Sequence, residues 1–338
     1  MAKQQKTKGG CCLIALVVML ILTIAIVACG VTLYKTALSL IPRLEEEATL
    51  SLEEIEAIEN ATETLPEGSD YEIVDDVTLP DEDAELLESN DNIINLLLIG
   101  QDRRPGEGRQ RSDSMILCTI NTEKKTLVMT SFLRDLYVDI PDWNGRSYQD
   151  NRLNVCYALG GMGMLNTALE KNFGIQVDHN MEVDFSGFKK IVSLFGGVSI
   201  NLTRAEANYL GGGLREGVNF LNPDQALAYS RIRYIDSDFG RTNRQRKVIM
   251  SLFNSVKNMS VTELSNLVTT ILPMVSTNMT DADITTYMMK ILPILSELQI
   301  TTQHIPVEGS YRSVYIRGMA VLVPDLPTNM AVLKETLR

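Results

Sequence analysis

The chain has 338 residues, enough for one large domain or two ordinary ones, and carries a formal net charge of −12. Its two histidines, His179 and His304, show no paired spacing, which argues against a zinc site or a Ser-His-Asp triad. Three of its five cysteines lie in one apolar run, so the chain is not a disulfide scaffold.

The N-terminus has the pattern of a membrane anchor. Three lysines within residues 1–10 precede an uncharged apolar run over 11–34, and Lys35 follows it. A helix of this length reaches about 36 Å, which exceeds the roughly 30 Å of a hydrocarbon core. Because lysines stay on the cytoplasmic side, we predict a cytoplasmic tail over 1–10, an uncleaved signal anchor over 11–34 and an extracytoplasmic remainder.

A second interpretation of the same run stays open. Residues 26–29 resemble a bacterial lipoprotein cleavage site, in which Cys29 would become the acylated N-terminus. Under either interpretation the rest of the chain is tethered to the outer face of the membrane.

Charge is segregated along the chain. Residues 45–91 contain 19 acidic side chains and no Lys or Arg, whereas 92–338 hold 24 acidic against 26 basic ones. The negative charge therefore belongs to the N-terminal part, and a slightly basic body suits an anionic substrate. We predict an acidic stalk over 35–91, with a short helix over 44–59 and a solvated flexible spacer over 60–91, before a folded domain.

The folded domain is predicted to mix strands and helices. It begins with a short apolar run over 93–100, which is typical of a buried central strand. Further predicted strands cover 114–121, 126–131, 198–202, 298–306 and 311–322. Predicted helices cover 154–173, 184–195 and 329–337, and residues 241–300 are mostly helical. This alternation indicates an α/β or α+β layered domain.

Two local features carry no chemistry that we can assign. Cys118 and Cys156 lie outside the apolar run, and the sequence cannot show whether they pair, although buried free thiols suit their apolar context. No Walker loop is present. No strand leads into the glycines of 160–163 as the dinucleotide fingerprint requires, so we expect a turn or a close backbone approach there.

Charged side chains cluster at the ends of the predicted strands. Asp102 follows the first strand, and Arg111 and Asp113 lead into the second. The third strand ends at Arg134 and Asp135. Functional groups at the ends of adjacent strands are typical of a site on an α/β scaffold. Asp102 and Asp113 could converge on Mg²⁺, which takes one or two carboxylates together with phosphates and water.

A second basic cluster follows. Arg231 and Arg233 would point the same way in an extended segment. A helix that starts near Arg241 would carry Arg244 and Gln245 on the same face. Because helix N-termini favour anions and guanidinium groups bind phosphate with two parallel hydrogen bonds, the two clusters together predict a phosphate site.

These motifs resemble the LytR–CpsA–Psr family. The resemblance rests on segments 95–102, 111–114, 131–135, 183–188, 195–198, 226–233 and 238–245, in this order. It extends over roughly 93–256 together with the C-terminal strand and helix. We therefore predict an α/β fold, a three-layer α-β-α domain with a central mixed sheet over 92–338, preceded by one transmembrane helix.

The resemblance implies a transferase on the outer face of the membrane, mostly in Gram-positive bacteria. Such an enzyme moves a glycopolymer from a polyprenyl-pyrophosphate carrier to peptidoglycan through a phosphodiester bond. By position, Asp102 and Asp113 would hold Mg²⁺, or Mn²⁺ in its place. The implied pyrophosphate ligands are Arg111, Arg134, Arg231, Arg233, Arg241 and Gln245, with Asp238 supporting the arginines. The implied catalytic residues are Arg111, Asp102, Asp113 and Arg134.

Three points remain open at this level. The family commonly has Ser where this chain has Gln101, a difference that leaves Asp102 in place but can alter the loop. Asp102 and Asp135 are the candidates for accepting the hydroxyl proton of the acceptor, although a metal ligand is a poor base and a loose transition state needs little help from one. The Met-rich stretch over 264–295 could line a trough for the carrier lipid, although such stripes more often belong to an ordinary core. Its methionines include Met274, Met279, Met288 and Met289.

Two other classes of function compete with the transferase. A hydrolase would use the same residues with water as the nucleophile. A non-catalytic cell-envelope binding or regulatory protein would not need the strand-end carboxylates. Nucleic-acid binding is disfavoured because only about ten residues would face the cytoplasm. The expected partners are the glycan donor, the peptidoglycan acceptor and membrane lipid, and the polymer could be teichoic acid, capsule or another secondary polysaccharide.

Overall fold

The computed structural model describes residues 50–337 except 66–68, 81–82, 89, 102–108, 234 and 258. The predicted cytoplasmic tail over 1–10 and signal anchor over 11–34 lie outside the described residues. Within the described part, no helix is both long and apolar enough to cross a membrane.

The elements follow one another in a mixed order. The strands are β1 Glu72–Ile73, β2 Ile93–Gln101, β3 Ser112–Asn121, β4 Thr126–Phe132, β5 Tyr137–Val138, β6 Asn151–Arg152, β7 His179–Asp184, β8 Val198–Leu202, β9 Gly217–Leu221, β10 Ser276–Thr277, β11 Gln299–Ile305, β12 Tyr311–Ile316 and β13 Met319–Pro324. The α-helices are α1 Leu52–Glu59, α2 Leu153–Phe173, α3 Phe185–Leu194, α4 Arg204–Leu210, α5 Pro223–Ser230, α6 Asp238–Val256, α7 Val261–Ile271, α8 Asp281–Ile291 and α9 Leu326–Leu337. Short 3₁₀ helices cover Leu272–Met274 and Leu292–Glu297.

The central sheet has the strand order β10-β7-β2-β3-β4-β11. Strand β2 is parallel to β7 and antiparallel to β3, and β4 is antiparallel to β3 and parallel to β11. The sheet is therefore mixed, as predicted.

Helices cover both faces of this sheet. Because side chains alternate along a strand, Leu97 and Ile99 of β2 pack into a core with α2, whereas Ile94 packs on the other face with residues of α6 and α7. This arrangement confirms the prediction of an α-β-α sandwich around a mixed sheet.

The two described cysteines do not form a disulfide. Cys118 of β3 and Cys156 of α2 are both buried and free. They belong to the cores on opposite faces of the sheet. Burial raises the pKa of both thiols, that of Cys118 to about 12, so neither forms a reactive thiolate readily.

The predicted strand over 311–322 is instead a hairpin. Strand β12 ends at Ile316, and β13 begins at Met319 antiparallel to it. The two connecting residues have positive φ, 50° at Arg317 and 77° at Gly318, which is typical of a tight hairpin turn. Strand β1 adds to the outer edge of β12 in parallel.

The N-terminal segment packs against the domain. Helix α1 begins at a capping box of Ser51 and Glu54, and its Ile55 and Ile58 pack on the core that contains α2. Further along, Val77 and Leu87 are buried. The expected solvated spacer over 60–91 is therefore wrong for the described part of that segment.

The glycines over 160–163 make a close backbone approach, as expected. Helix α2 is kinked at Gly160 and Gly161, where the backbone leaves helical geometry. A Cβ on Gly160 would lie 2.6 Å from Nε1 of Trp143, and one on Gly163 would lie 2.7 Å from another atom of the same indole. The indole thus requires these glycines.

Candidate active site

The motif over 183–188 builds one wall of a cavity beside the central sheet. Asp184 ends β7 and caps α3, with its Oδ1 accepting a hydrogen bond of 2.7 Å from the N–H of Gly187. A Cβ on Gly187 would lie 2.5 Å from the carbonyl oxygen of Met274, so only glycine fits. This close approach brings Phe185 and Phe188 to the cavity wall.

The cavity has a volume of about 300 Å³ and walls that are mostly apolar. Three elements supply much of this wall: Met181 and Val183 from β7, Phe188 and Ile191 from α3, and Ile249 and Leu252 from α6. Met279 and Met288 of the Met-rich stretch pack in a separate core, the interpretation that the sequence favoured over a lipid trough, and Met289 is 67% exposed. Only Ile271 and Val275 of that region line the cavity.

The charged end of the cavity brings together most of the predicted phosphate ligands. The predicted residues that line it are Asp113, Arg231, Arg233, Arg241 and Gln245. Arg134 joins them from the end of β4. Its Nη1 lies 3.2 Å from Oδ1 of Asp113, and Nη2 of Arg233 lies 3.3 Å from the same oxygen.

Arg134 is the centre of a charge network. Its Nε lies 3.3 Å from Asp135 and 3.9 Å from Asp238. Burial alone would lower the pKa of Arg134, but the carboxylates of Asp135, Asp238 and Asp113 raise it above its ordinary value. Arg134 therefore stays charged at the cavity mouth.

Arg241 and Asp238 form a buried pair on the first turn of α6. Nη2 of Arg241 lies 2.9 Å from Oδ2 of Asp238, and the arginine side chain is 3% exposed. Its Nε and Nη1 have no hydrogen-bond partner among the described residues. Burial lowers the pKa of Arg241 and raises that of Asp238. Buried charged donors without partners are costly, which makes this end of the cavity suited to an anion.

Arg231 and Arg233 do not lie in an extended strand as predicted. Helix α5 begins with a capping box of Asn222 and Gln225 and a proline in its first turn, runs to Ser230, and is capped by Arg231. The Arg231 guanidinium stacks over the Phe185 ring at 4.5 Å.

Arg244 has a structural role. It was expected to share a face with Arg241 and Gln245, but its side chain is 2% exposed and binds both oxygens of Asp236 at 2.7 Å. Its Nη2 also donates to the carbonyl oxygen of Ile232 at 2.8 Å. Arg244 thereby holds the turn that carries Arg231 and Arg233 against α6.

Arg111 lies away from the cavity wall. Its Nη2 donates to the carbonyl oxygen of Ile58, at the end of α1, over 2.7 Å. Burial lowers its pKa, and the neighbouring positive charge of Arg152 lowers it further. Arg111 therefore lies between the other predicted phosphate ligands and the N-terminal segment.

Asp102, the other predicted metal ligand, lies outside the described residues. The Gln101 beside it is buried, and its Nε2 donates to the carbonyl oxygen of Gln110 at 3.1 Å, which ties together the two ends of the intervening loop. No group of three or more His, Cys, Asp or Glu side chains in the described part of the chain could hold a metal. Oδ1 of Asp113 contacts both Arg134 and Arg233, and Oδ2 takes part in neither of these two contacts.

Sequence reasoning missed the contribution of the N-terminal segment to this region. Nη2 of Arg152 lies 2.6 Å from Oε1 of Glu63, and its Nε lies 3.9 Å from Oδ1 of Asp135. Burial raises the pKa of Tyr71, and the nearby charges of Asp135 and Glu63 raise it further. No motif pointed to these residues, because an acidic stretch with few apolar side chains is typical of a solvated linker.

Comparison with known proteins agrees with this architecture. The sequence model of the LytR_cpsA_psr family matches residues 56–337. Regulatory protein MsrR of Staphylococcus aureus is 32% identical over 254 residues, 73% of this chain and 75% of MsrR. The polyisoprenyl-teichoic acid–peptidoglycan teichoic acid transferase TagU of Bacillus licheniformis is 38% identical over 197 residues, 57% of this chain and 62% of TagU.

A solved structure gives the same fold. The crystal structure of protein gbs0355 from Streptococcus agalactiae superposes with a TM-score of 0.61 at 25% identity, covering 73% of this chain and 88% of that one. The family match spans most of the chain and includes every described element of the cavity and its charged mouth. The chain therefore belongs to the LytR–CpsA–Psr family.

Proposed function

We propose that this chain is a phosphotransferase that moves an anionic glycopolymer from a polyprenyl-pyrophosphate carrier to peptidoglycan. The polymer would be a teichoic acid or a capsular or secondary polysaccharide, joined through a phosphodiester bond. The observation that carries the proposal is an apolar cavity of about 300 Å³ with arginines at one end. The similarity to TagU, a transferase by name, supports the same activity.

An amphipathic donor matches both parts of this site. Each methylene of the carrier that enters the cavity contributes about 0.8 kcal/mol. The pyrophosphate would then lie among Arg233, Arg241 and Gln245, where Nε and Nη1 of Arg241 lack partners among the described residues. Arg231, stacked on Phe185, would close the mouth over the first isoprene units and the phosphates.

The proposed reaction requires mainly that the negative charge on the phosphates be neutralised. A peptidoglycan hydroxyl attacks the phosphorus that bears the glycan, and polyprenyl phosphate leaves. Arg134, Arg233 and Arg241 would hold the phosphate oxygens and stabilise the charge that develops on them. Asp238 orients Arg241 through their 2.9 Å contact, so it acts through the arginine.

A divalent cation fits this donor set. Asp113 would hold Mg²⁺, or Mn²⁺, through the oxygen that its arginine contacts leave aside, together with Asp102 outside the described residues. One or two carboxylates with phosphate oxygens and water are what Mg²⁺ prefers. When bound, the ion would supply further neutralisation of the pyrophosphate charge.

We place the enzyme at the cell membrane of a Gram-positive bacterium. The apolar run over 11–34, with lysines before it, would anchor the chain once and leave the domain outside the cell. The relatives from Staphylococcus aureus and Bacillus licheniformis agree with a Gram-positive source.

The test uses the full-length chain in detergent, with Mg²⁺, a synthetic polyprenyl-pyrophosphate glycan and a peptidoglycan oligomer. Truncation at residue 91 is unsuitable because it would remove β1 and the buried Val77 and Leu87. Mass spectrometry identifies the products. Arg241→Gln is the active-site variant, and Arg312→Gln, 59% exposed on its side chain and paired with Glu72, is the matched control.

The transferase predicts a glycan–phosphate–peptidoglycan adduct that Arg312→Gln retains and Arg241→Gln loses. Free glycan phosphate without adduct, at any acceptor concentration, would show a hydrolase in its place. Donor binding without turnover, unaffected by Arg241→Gln, would leave only a binding protein.

A further inference from the structure

The N-terminal segment around Glu63 is fixed across one edge of the charge network centred on Arg134, which is called the charged cluster below. The N–H of Glu63 donates to the carbonyl oxygen of Gly318 at 2.8 Å, and Oε1 of Glu63 accepts from the N–H of Ala320 at 2.9 Å. The hydroxyl of Tyr315 donates to the carbonyl oxygen of Glu63 at 2.8 Å. The β12–β13 hairpin therefore holds Glu63 in one position.

The same segment is bonded to the arginines of the cluster. Arg111 donates to the carbonyl oxygen of Ile58 at 2.7 Å, and Arg152 lies 2.6 Å from Glu63. Arg152 is 7% exposed, and its Nε has no hydrogen-bond partner among the described residues. A buried guanidinium with an unused donor, beside open carboxylates, indicates a region built to bind a polar group.

This region is continuous with the cavity mouth but distinct from the cavity. Arg134 contacts Asp113, which lines the cavity, through Nη1, and Asp135, which does not, through Nε. Beyond Asp135 the contacts run through Arg152 to Glu63. The Glu63 side chain is 44% exposed and that of Asp135 is 23% exposed, so solvent reaches this side.

The stereochemistry of the proposed reaction requires such a second side. The attacking and leaving oxygens lie roughly in line on opposite sides of the transferred phosphorus. If the carrier lipid occupies the cavity, the leaving oxygen points into the cavity. The acceptor hydroxyl must then approach the phosphorus from the opposite side. Away from the cavity lie Asp135, Arg152 and Glu63. Burial raises the pKa of Tyr71, which is close enough for the charges of Asp135 and Glu63 to raise that pKa further.

We propose that the N-terminal segment forms the acceptor site, in which Glu63 and Tyr71 bind a carbohydrate of peptidoglycan beside Asp135. This inference rests on the proposed function. Carboxylate oxygens accept hydrogen bonds from sugar hydroxyls, and a tyrosine offers both a ring face and a hydroxyl.

In the transfer step, the acceptor oxygen forms a bond to the phosphorus that bears the glycan, and the bond from that phosphorus to polyprenyl phosphate breaks. The hydroxyl proton passes to the Asp135 carboxylate and from there to solvent. Asp135 thus takes the role that the sequence left open between itself and Asp102.

The experiment measures the KM of the full-length chain for the peptidoglycan oligomer and for the donor, in wild type and in Tyr71→Phe and Glu63→Gln. Each variant removes a group that hydrogen-bonds the acceptor, so the acceptor KM should rise about three- to tenfold. The donor KM should not change, because neither side chain lines the cavity. Tyr209→Phe and Glu216→Gln, at exposed positions outside the N-terminal segment, are the matched controls and should equal wild type.

Glu63 also holds the hairpin, so Glu63→Gln alone could act by loosening the segment. Tyr71→Phe avoids this problem because it removes only a hydroxyl. An unchanged acceptor KM in Tyr71→Phe, or equal increases in both KM values, would overturn the acceptor site while wild-type turnover upheld the transferase. Absence of adduct with wild type would refute the proposed function itself.

Discussion

The two sides of the charged cluster differ in polarity. On one side, β7, α3 and α6 enclose an apolar cavity, and their residues come from motifs that the sequence displays clearly. On the other side, an acidic segment with few apolar side chains lies along the domain, held by hydrogen bonds and ion pairs of Glu59 and Glu63. Arg134 lies between them: it contacts Asp113, which lines the cavity, and Asp135, which lies 3.9 Å from Arg152, the ion-pair partner of Glu63.

In the proposed reaction, this difference separates two tasks. The donor side would hold the carrier lipid in a mostly apolar cavity. The acceptor side would admit a hydroxyl of a large polymer, and its Glu63 side chain is 44% exposed. The comparison predicts that changes on each side affect one substrate, and that changes at the boundary affect both.

The largest effect is expected at that boundary. Arg134→Ala removes the guanidinium that contacts Asp113, Asp135 and Asp238 and leaves their charges facing the phosphates. Removing one stabiliser of transition-state charge typically costs 10²–10³-fold in rate, so we expect a loss of about that size in kcat/KM for both substrates. Steady-state kinetics check it, with Arg312→Ala as control. A loss of kcat/KM for only one of the two substrates would show that Arg134 acts on one side only.

The next effect is on stability. Arg244→Met breaks the contacts of a buried guanidinium with Asp236 and Glu206, 2.7 Å and 3.5 Å away. Loss of one partner of a buried ion pair costs 3–5 kcal/mol, and since Asp236 is 40% exposed we expect about 3 kcal/mol in the free energy of unfolding. Urea denaturation measures it. Arg204→Ala, whose side chain is 82% exposed, should change little. If Arg244→Met and Arg204→Ala lowered the free energy of unfolding equally, the structural role of Arg244 would be refuted.

A smaller effect is expected on the donor side alone. Leu227→Glu places a carboxylate in the apolar wall of the cavity, where it would displace the carrier chain. Losing one or two buried methylenes, at about 0.8 kcal/mol each, raises the donor KM about tenfold. The acceptor KM should stay constant. Leu86→Glu, at a residue 49% exposed, is the control, and a matching rise there would exclude a specific cavity effect.

The smallest effect concerns pH. Burial raises the pKa of Asp238 above the 3.8 of an ordinary aspartate, although Arg241 and Arg134 oppose this shift. Asp238 orients Arg241 as a carboxylate, so the rate should fall as the pH drops through this raised pKa. A profile of log(kcat/KM) against pH should lose that acidic limb in Asp238→Asn, which remains slow at every pH. An unchanged limb in the variant would assign it to another group.

The same raised pKa lowers stability as pH rises. The folded chain binds the Asp238 proton more tightly than the unfolded chain, so the free energy of unfolding decreases as the pH rises from about 3.8 through the folded pKa. The decrease stops above that window.

The sequence predicted the donor side better than the acceptor side, for physical reasons. The runs that became β2, β3 and β4 are short and rich in apolar residues, as buried central strands are, and Asp113 near the start of β3 meets Arg134 just after β4. Arg231 and Arg233 reach the cavity from the end of a helix and not, as expected, from an extended segment. The capping box of Asn222 and Gln225, with Pro223 between them, was the signal for helix α5.

The acceptor side offered no comparable pattern. Its contacts join residues far apart in sequence, such as Glu63 with Arg152 and Glu59 with Arg146, and single ion pairs have no periodicity. The Arg317-Gly318 turn was missed because apolar residues flank it on both sides. A glycine beside a residue of positive φ is nevertheless what a two-residue hairpin needs. Long-range pairing of charged residues therefore had to come from the structure.

The central claim, transfer to a sugar hydroxyl, is tested most directly by running the reaction of the full-length chain in ¹⁸O-labelled water. Donor, Mg²⁺ and a peptidoglycan oligomer are supplied, and mass spectrometry reads the isotope content of every phosphate product. Our account predicts a glycan–phosphate–peptidoglycan adduct without ¹⁸O, because the sugar oxygen attacks the phosphorus. Glycan phosphate that carries one ¹⁸O, with no adduct, would contradict it, because water would then be the nucleophile.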